Sequence, residues 1–133
     1  MTDDTTPAET VDSADETVEV RENPERQRFD ILVGGRQAGF ALFTTSAENP
    51  DDQRIFYHTV IDDAFGGRGL AGMLTRGALA ASVEQGKRIV PVCPYAARWV
   101  RGHDDFADSV DRVKSIHLEA VRAANAEADG TAS

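Results

Sequence analysis

The chain has 133 residues, of which 41% are hydrophobic and 28% charged, a composition typical of one globular domain. Its formal charge of −9 is concentrated in residues 1–16, with six acids and no base, whereas residues 17–110 carry 13 acids and 11 bases, a net charge of −2. This balance argues against a nucleic-acid partner, because affinity for phosphate backbones comes from clustered Lys and Arg. No apolar run approaches the roughly 18 residues of a membrane span, so we expect a cytoplasmic protein.

The composition of residues 1–16 predicts a disordered acidic tail, because it offers little apolar surface to bury. Cys93 is the only cysteine, which rules out an intrachain disulfide and suits a reducing compartment. The His and Cys spacings do not match a zinc site, so we expect no metal. We therefore divide the chain into the tail, a folded domain over residues 17–110, and a C-terminal helix with a flexible tail over residues 111–133.

Four strands are predicted first, and the order of turns makes them antiparallel. Alternating or β-branched runs cover residues 18–20, 28–33, 37–45 and 55–61. Gly34 and Gly35 give a hairpin signal between the second and third strands, and the polar residues 46–53 predict a loop before the fourth.

A helix over residues 70–86 follows, because Leu70, Met73, Leu74, Gly77, Ala78 and Ala81 fall on one face and Gly86 is a stop signal. Gly72 and Gly77 within it indicate close contact with a sheet or a ligand. A fifth strand over residues 88–93 would be parallel to the fourth after the helix crossover, and Pro91 fits a place where the two strands splay apart. The predicted fold is α/β (α+β), a mixed and mostly antiparallel sheet ending in a β-α-β unit and short C-terminal helices.

The turn between the fourth strand and the helix has the composition of an anion-binding site. Gly66, Gly67 and Gly69 allow positive φ and close backbone approach, and Arg68 supplies a positive charge. The first N–H groups of the helix that begins at Leu70 lie at the positive end of its dipole. A glycine cluster of this kind is also common in tight connections that bind nothing.

The pattern Gly66-x-x-Gly69-x-Ala71, followed by a helix, a strand and Val92-Cys93-Pro94-Tyr95, resembles the GNAT acyl-CoA N-acetyltransferases, in particular their minimal-length branch. The resemblance covers about residues 17 to 108. The superfamily loop usually begins with Gln or Arg, where this chain has Gly66, so a side-chain contact at the loop entrance is missing while the backbone cradle remains.

The resemblance implies that acetyl-CoA binds between splayed strands four and five. Its pantetheine arm would lie beside Thr59, Val60 and Ile61, and its pyrophosphate would rest on the turn formed by Gly66, Gly67, Arg68, Gly69, Leu70 and Ala71. The implied activity is acetyl transfer from acetyl-CoA to the amine of a small molecule or a peptide. Tyr95 and Trp99 could line the far side of the groove.

His58 and Cys93 are the candidate catalytic residues, one on each of the two strands and both expected to face the thioester. His suits proton transfer near neutral pH and a Cys thiolate is a strong nucleophile, although a hydrogen-bonded His and a buried Cys are also common in cores. Direct attack with His58 as base and passage of the acetyl group through Cys93 both stay open, and a backbone N–H near Val60 could polarise the carbonyl. An acyl-CoA-binding module or sensor with little turnover is the alternative function, and a structural α/β module is a third.

Overall fold

The computed structural model describes residues 17–46 and 52–132, with side chains up to residue 126. Five strands form one sheet in the order β1-β2-β3-β4-β5, and three helices follow the fourth strand. Their bounds are β1 Val18–Asn23, β2 Arg28–Val33, β3 Arg36–Thr44, β4 Gln53–Ile61, α1 Leu70–Glu84, β5 Arg88–Pro91, α2 Pro94–Gly102 and α3 Ser115–Ala132. The first four strands pair antiparallel and β4 pairs parallel with β5. The predicted fold class is confirmed, while the predicted acidic tail and most of the loop before β4 lie outside the described residues.

The hydrophobic core lies between one face of the sheet and α1. Phe29, Phe43 and Phe56 from three strands are buried there, with ring centroids 5.6 to 6.2 Å apart. From the helix, Leu74 and Leu79 are almost fully buried on the same core. Alternation along the strands and helical spacing along α1 therefore direct apolar side chains to the same layer.

One glycine and one methionine show how closely α1 fits the sheet. A Cβ built on Gly77 would lie 2.9 Å from the Val20 side chain of β1, so this glycine permits the close helix-to-strand contact that the sequence predicts. At Gly72 a Cβ would lie 3.5 Å from the Tyr95 hydroxyl, an ordinary contact distance. Met73, which the sequence places on the apolar face, is instead 47% exposed, because the buried stripe of α1 runs along the neighbouring residues.

A buried arginine joins the C-terminal end of α1 to two strands. Arg54 of β4 is only 7% exposed and forms a 2.9 Å ion pair with Glu22 of β1. It also donates hydrogen bonds to Ser82 and Gln85 at 3.1 and 2.7 Å. Because its charge is paired and its donors are used, this side chain is an anchor of the fold and not a candidate for chemistry.

The C-terminal helix is attached to the sheet by His117, which is 1% exposed. Its Nδ1 accepts a 2.9 Å hydrogen bond from the Lys114 N–H, so Nε2 carries the proton and donates to Gln53 Oε1 of β4 at 3.1 Å. The helix extends to Ala132, beyond the apolar positions that predict it.

Candidate active site

The glycine turn forms the start of α1 as the sequence predicts. Asp62 accepts a 3.0 Å hydrogen bond from the Ala64 N–H and starts a single 3₁₀ turn, Asp63–Phe65. Gly67 and Gly69 then adopt left-handed φ angles of +79° and +72°. Gly69 is the N-cap of α1 and, having no side chain, leaves the first turn of the helix without a side-chain cap. The N-terminal N–H groups are therefore placed to bind an anion.

Two guanidinium groups flank the turn. The Arg68 guanidinium lies 5.5 Å from the centroid of the Phe65 ring, and the Arg36 guanidinium lies 5.2 Å from the same centroid. The Phe65 ring is buried, whereas both arginines are exposed. Arg36 begins β3, about thirty residues earlier in the chain, so no local motif links it to the turn and its place beside the turn is not predictable from the sequence.

Strand β4 loses its β5 partner halfway along its length. The parallel pairing runs from Gln53 to Phe56 and ends where Phe56 is opposite Pro91. The N–H groups of Val92 and Cys93 both donate to the Phe56 carbonyl, at 3.0 and 2.8 Å. The predicted splay at Pro91 is thus present, while β5 ends two residues before the predicted end at Cys93, which is the N-cap of α2.

Beyond the splay, no described strand pairs with β4 on the β5 side. The Asp62 N–H donates to the Ala38 carbonyl of β3 at 2.7 Å, and in an antiparallel ladder bonded and non-bonded pairs alternate. The Val60 N–H is therefore directed to β3, whereas the N–H and C=O groups of Thr59 and Ile61 face the gap. A backbone N–H near Val60 that polarises a thioester in this gap, as the sequence analysis expects, would therefore come from Thr59 or Ile61.

A β-bulge at Tyr57 controls which way the side chains of β4 point. Phe43 pairs with Phe56, but the preceding residue of β3, Leu42, pairs with His58, so Tyr57 is the extra residue. The bulge reverses the alternation, and His58 therefore lies on the opposite face of the sheet from Phe56, away from α1. The His58 side chain is exposed.

Cys93 and Thr59 come together on the α1 side of the sheet. The Cys93 Sγ lies 3.4 Å from the Thr59 Oγ1, and Cys93 is 5% exposed and part of the core cluster. Thr59 shares this face because its β3 partner is the buried Ala41. The structure therefore separates His58 from Cys93 by the thickness of the sheet and gives Cys93 a hydroxyl neighbour that the sequence did not predict.

A cavity of about 220 Å³ opens on the His58 face of the sheet. Its walls come from β2, β3 and the end of β4: Arg28, Gln37, Ala38, Gly39, Phe40, Val60 and Asp62. It therefore lies on the opposite side of β4 from Cys93. It has room for several water molecules or for a small ligand group.

The aromatic residues after Cys93 are mainly structural. Trp99 is 7% exposed and stacks on His103 with centroids 4.1 Å apart, while the Arg76 guanidinium lies 5.2 Å from its centroid. Tyr95 is half-buried, with its hydroxyl beside Gly72 in the first turn of α1. Tyr95 is thus the better placed of the two predicted groove residues to contact a ligand at the helix N-terminus.

Two carboxyl groups away from the turn have lowered pKa values. The hydrogen bond and the charge of Arg76 lower the pKa of Asp105, against a smaller opposing effect of desolvation. Burial raises the pKa of Asp111, but hydrogen bonds from Gln53 and Arg88, together with the Arg88 charge, outweigh it and leave the pKa below its ordinary value. Asp111 follows the bridge between Val110 and Ile89 and so joins the start of the C-terminal region to β5.

Within the described ranges, no three His, Cys, Asp or Glu side chains cluster in a way that could hold a metal ion. None of the helices described there combines the length and apolar character needed to cross a membrane.

Comparison with known proteins places the chain in a family. The family model of the GCN5-related N-acetyltransferases matches residues 28–109, which include β2 to β5 and the glycine turn. The chain therefore belongs to this family.

Among solved structures, the chain is similar to a ribosomal-protein-alanine N-acetyltransferase from Brucella melitensis biovar Abortus 2308. The sequences are 16% identical, the TM-score is 0.44, and the match covers 65% of this chain and 62% of the other, less than two thirds of that protein. None of the curated proteins matches the chain.

Proposed function

We propose that the protein transfers the acetyl group of acetyl-CoA to the amine of a small molecule or a peptide in the cytoplasm. The observation that carries the proposal is the edge of β4 that β5 leaves unpaired, which leads from the splay at Pro91 to the start of α1, where no side chain caps the helix. An extended ligand with amide groups at one end and phosphates at the other matches both parts of this path.

The residues along the path have separate tasks in the proposed complex. The backbone groups of Thr59 and Ile61 would pair with the pantetheine amides in the way that a further strand would. The diphosphate would bind the N–H groups at Gly69, Leu70 and Ala71, with the helix dipole and Arg68 adding positive potential. In this arrangement the thioester lies at the deep end of the gap, where the Thr59 N–H is the best candidate to stabilise the oxyanion.

Direct transfer is the route that the positions of the two side chains favour. The amine nitrogen would attack the thioester carbonyl, a C–N bond would form as the C–S bond breaks, and the amine would lose a proton while CoA leaves as the thiolate or thiol. His58 is exposed on the face that also carries the cavity at Phe40 and Val60, so an amine arriving there would meet a base. Cys93 is buried on the other face, and an acetyl group on its sulfur would be shielded from such an amine.

The experiment is an amine-acetylation assay combined with calorimetric titration of acetyl-CoA. For His58→Gln we expect kcat to fall by about 10² to 10⁴ with little change in the affinity for acetyl-CoA, because a general base acts in the transition state. Cys93→Ala should keep most of the activity, and no acetyl group should be found on Cys93 by mass spectrometry. His103→Gln, which changes a histidine stacked on Trp99, is the matched control.

Three results would separate the alternatives. An acetylated Cys93 that is discharged by amine, together with an inactive Cys93→Ala, would establish the covalent route instead. Tight binding of acetyl-CoA without acetylation of any amine in a broad panel would favour an acyl-CoA-binding module. Failure of acetyl-CoA to bind would contradict the proposed function itself.

A further inference from the structure

Arg36 lies beside the glycine turn although it belongs to the β2–β3 hairpin. It pairs with Val33, a core residue, and so lies on the α1 face of the sheet. The hydrogen bond from the Asp62 N–H to the Ala38 carbonyl ties the start of β3 to the start of the turn. The position of Arg36 is therefore fixed by the sheet register and does not depend on the conformation of the turn.

The guanidinium of Arg36 has donors that the fold does not use. It lies 5.2 Å from the centroid of the Phe65 ring, and it forms neither an ion pair nor a hydrogen bond with any residue that the structure describes. A guanidinium held over a ring face still has N–H groups along its edge, which suit two oxygens of one phosphate. Burial of Phe65, which is 6% exposed, keeps this platform in place.

Arg36 and Arg68 define two cationic positions around one ring. Their guanidinium carbons lie 5.2 and 5.5 Å from the same centroid, and hence within 10.7 Å of each other. Asp62 and Asp63 add negative charge just before the turn, and Asp62 Oδ1 accepts a hydrogen bond from the Ala64 N–H. A helix N-terminus acts only within its first turn, so a second phosphate of the ligand outside that range would not be bound by the helix, whereas a second cation would attract it.

We propose that Arg36 binds the 3′-phosphate on the ribose of CoA, while the turn and Arg68 hold the diphosphate. The inference rests on the proposed function and adds a determinant of cofactor choice. CoA carries phosphate at two separate places, and its 3′-phosphate is a monoester whose second ionisation, near pH 6, leaves it close to doubly charged at neutral pH. Arg36 therefore makes the enzyme prefer CoA to dephospho-CoA, which lacks only that group.

The test measures by calorimetry how tightly wild type and Arg36→Ala bind CoA and dephospho-CoA. Arg36→Ala should weaken CoA binding about tenfold and dephospho-CoA binding less than twofold, since one charge-assisted phosphate contact is lost. Arg36→Lys should recover part of the preference for CoA. Arg26→Ala is the matched control, because it removes the same charge from an exposed position at the other end of β2 and should leave both affinities unchanged.

The outcomes distinguish this inference from the function on which it rests. If Arg36→Ala weakened the binding of CoA and of dephospho-CoA equally, the inference would be overturned, since the contact would then involve a group that the two ligands share. Unchanged CoA affinity in a variant with the wild-type melting temperature would overturn it as well. If wild type bound neither ligand, the proposed function and this inference would both fall, whereas normal acetylation with equal affinity for the two ligands would overturn the inference alone.

Discussion

Gly69→Asp tests the phosphate site at its most sensitive position. Gly69 has φ +72° and ψ +19°, and a Cβ built there would meet no atom within 4 Å. An added side chain therefore costs left-handed strain of about 1 kcal/mol but causes no clash. Asp and Asn tolerate this conformation better than other residues, so both variants should fold.

The magnitude follows from the charge alone. A carboxylate about 5 Å from one phosphate charge, at an effective dielectric constant of about 20, is repelled by about 3 kcal/mol, roughly a hundredfold in affinity. Gly69→Asn has nearly the same shape and backbone strain without the charge. The ratio of the two dissociation constants consequently isolates electrostatics from the loss of the glycine.

The assay is calorimetric titration with acetyl-CoA at low and high salt. Gly69→Asp should bind acetyl-CoA about two orders of magnitude more weakly than Gly69→Asn, and this difference in affinity should become smaller as salt screens the repulsion. Equal affinities of the two folded variants at low salt would refute the assignment of phosphate to the start of α1. A difference in affinity that does not change with salt would show that it comes from conformation and not from charge.

Three further predictions concern stability. Gly72→Ala should stabilise the protein by up to about 1 kcal/mol through helix propensity, whereas Gly77→Ala should destabilise it by about 1 to 2 kcal/mol through overpacking against Val20 and should be rescued by adding Val20→Ala. Urea denaturation gives the free energy of unfolding of each variant, and equal stabilisation by the two substitutions would contradict this prediction. Asp111 binds its proton less readily in the folded than in the unfolded protein, so its stabilising effect is present above its ordinary pKa of 3.8 and is lost as the pH falls through the lower pKa of the folded state. Asp111→Asn should therefore reduce the loss of unfolding free energy that is measured between about pH 6 and pH 3. Deleting residues 1–16 should leave the melting temperature and the acetyl-CoA affinity within error, as their acidic composition predicts, and a clear drop in either would show that the tail docks on the domain.

The parts of the fold that the sequence could predict are those governed by neighbours along the chain. Alternation in β2 reports which side chains face the core, and the two glycines after Val33 form the hairpin at positive φ. The turn before α1 was predicted because its glycines and the helix that they start are consecutive. Local chemistry also explains the end of β5, since Pro91 cannot donate to a further ladder bond.

The parts that could not be predicted depend on contacts between distant segments. Arg36 and Phe65 meet only because β3 and β4 pair in one register, and Thr59 meets Cys93 only after α1 and β5 have folded back. Neither pair leaves a pattern in the sequence, because the partners are roughly 30 residues apart and each residue alone is ordinary. Such side-chain pairs can be predicted only once the pairing register of the strands is known.

The bulge at Tyr57 has the largest effect on the proposed chemistry. A strict period of two would place His58 on the same face as Phe56 and Thr59 on the opposite face, whereas one extra residue exchanges them. That exchange puts a hydroxyl beside the Cys93 thiol and a titratable ring on the open face near the cavity. It also turns the Thr59 N–H toward the gap that β5 leaves. In the proposed complex, acetyl-CoA would therefore lie in the gap beside β4, and the amine would approach the thioester carbonyl from the face that carries His58. Removal of the bulge by deleting one residue there should abolish turnover even in a variant that still folds.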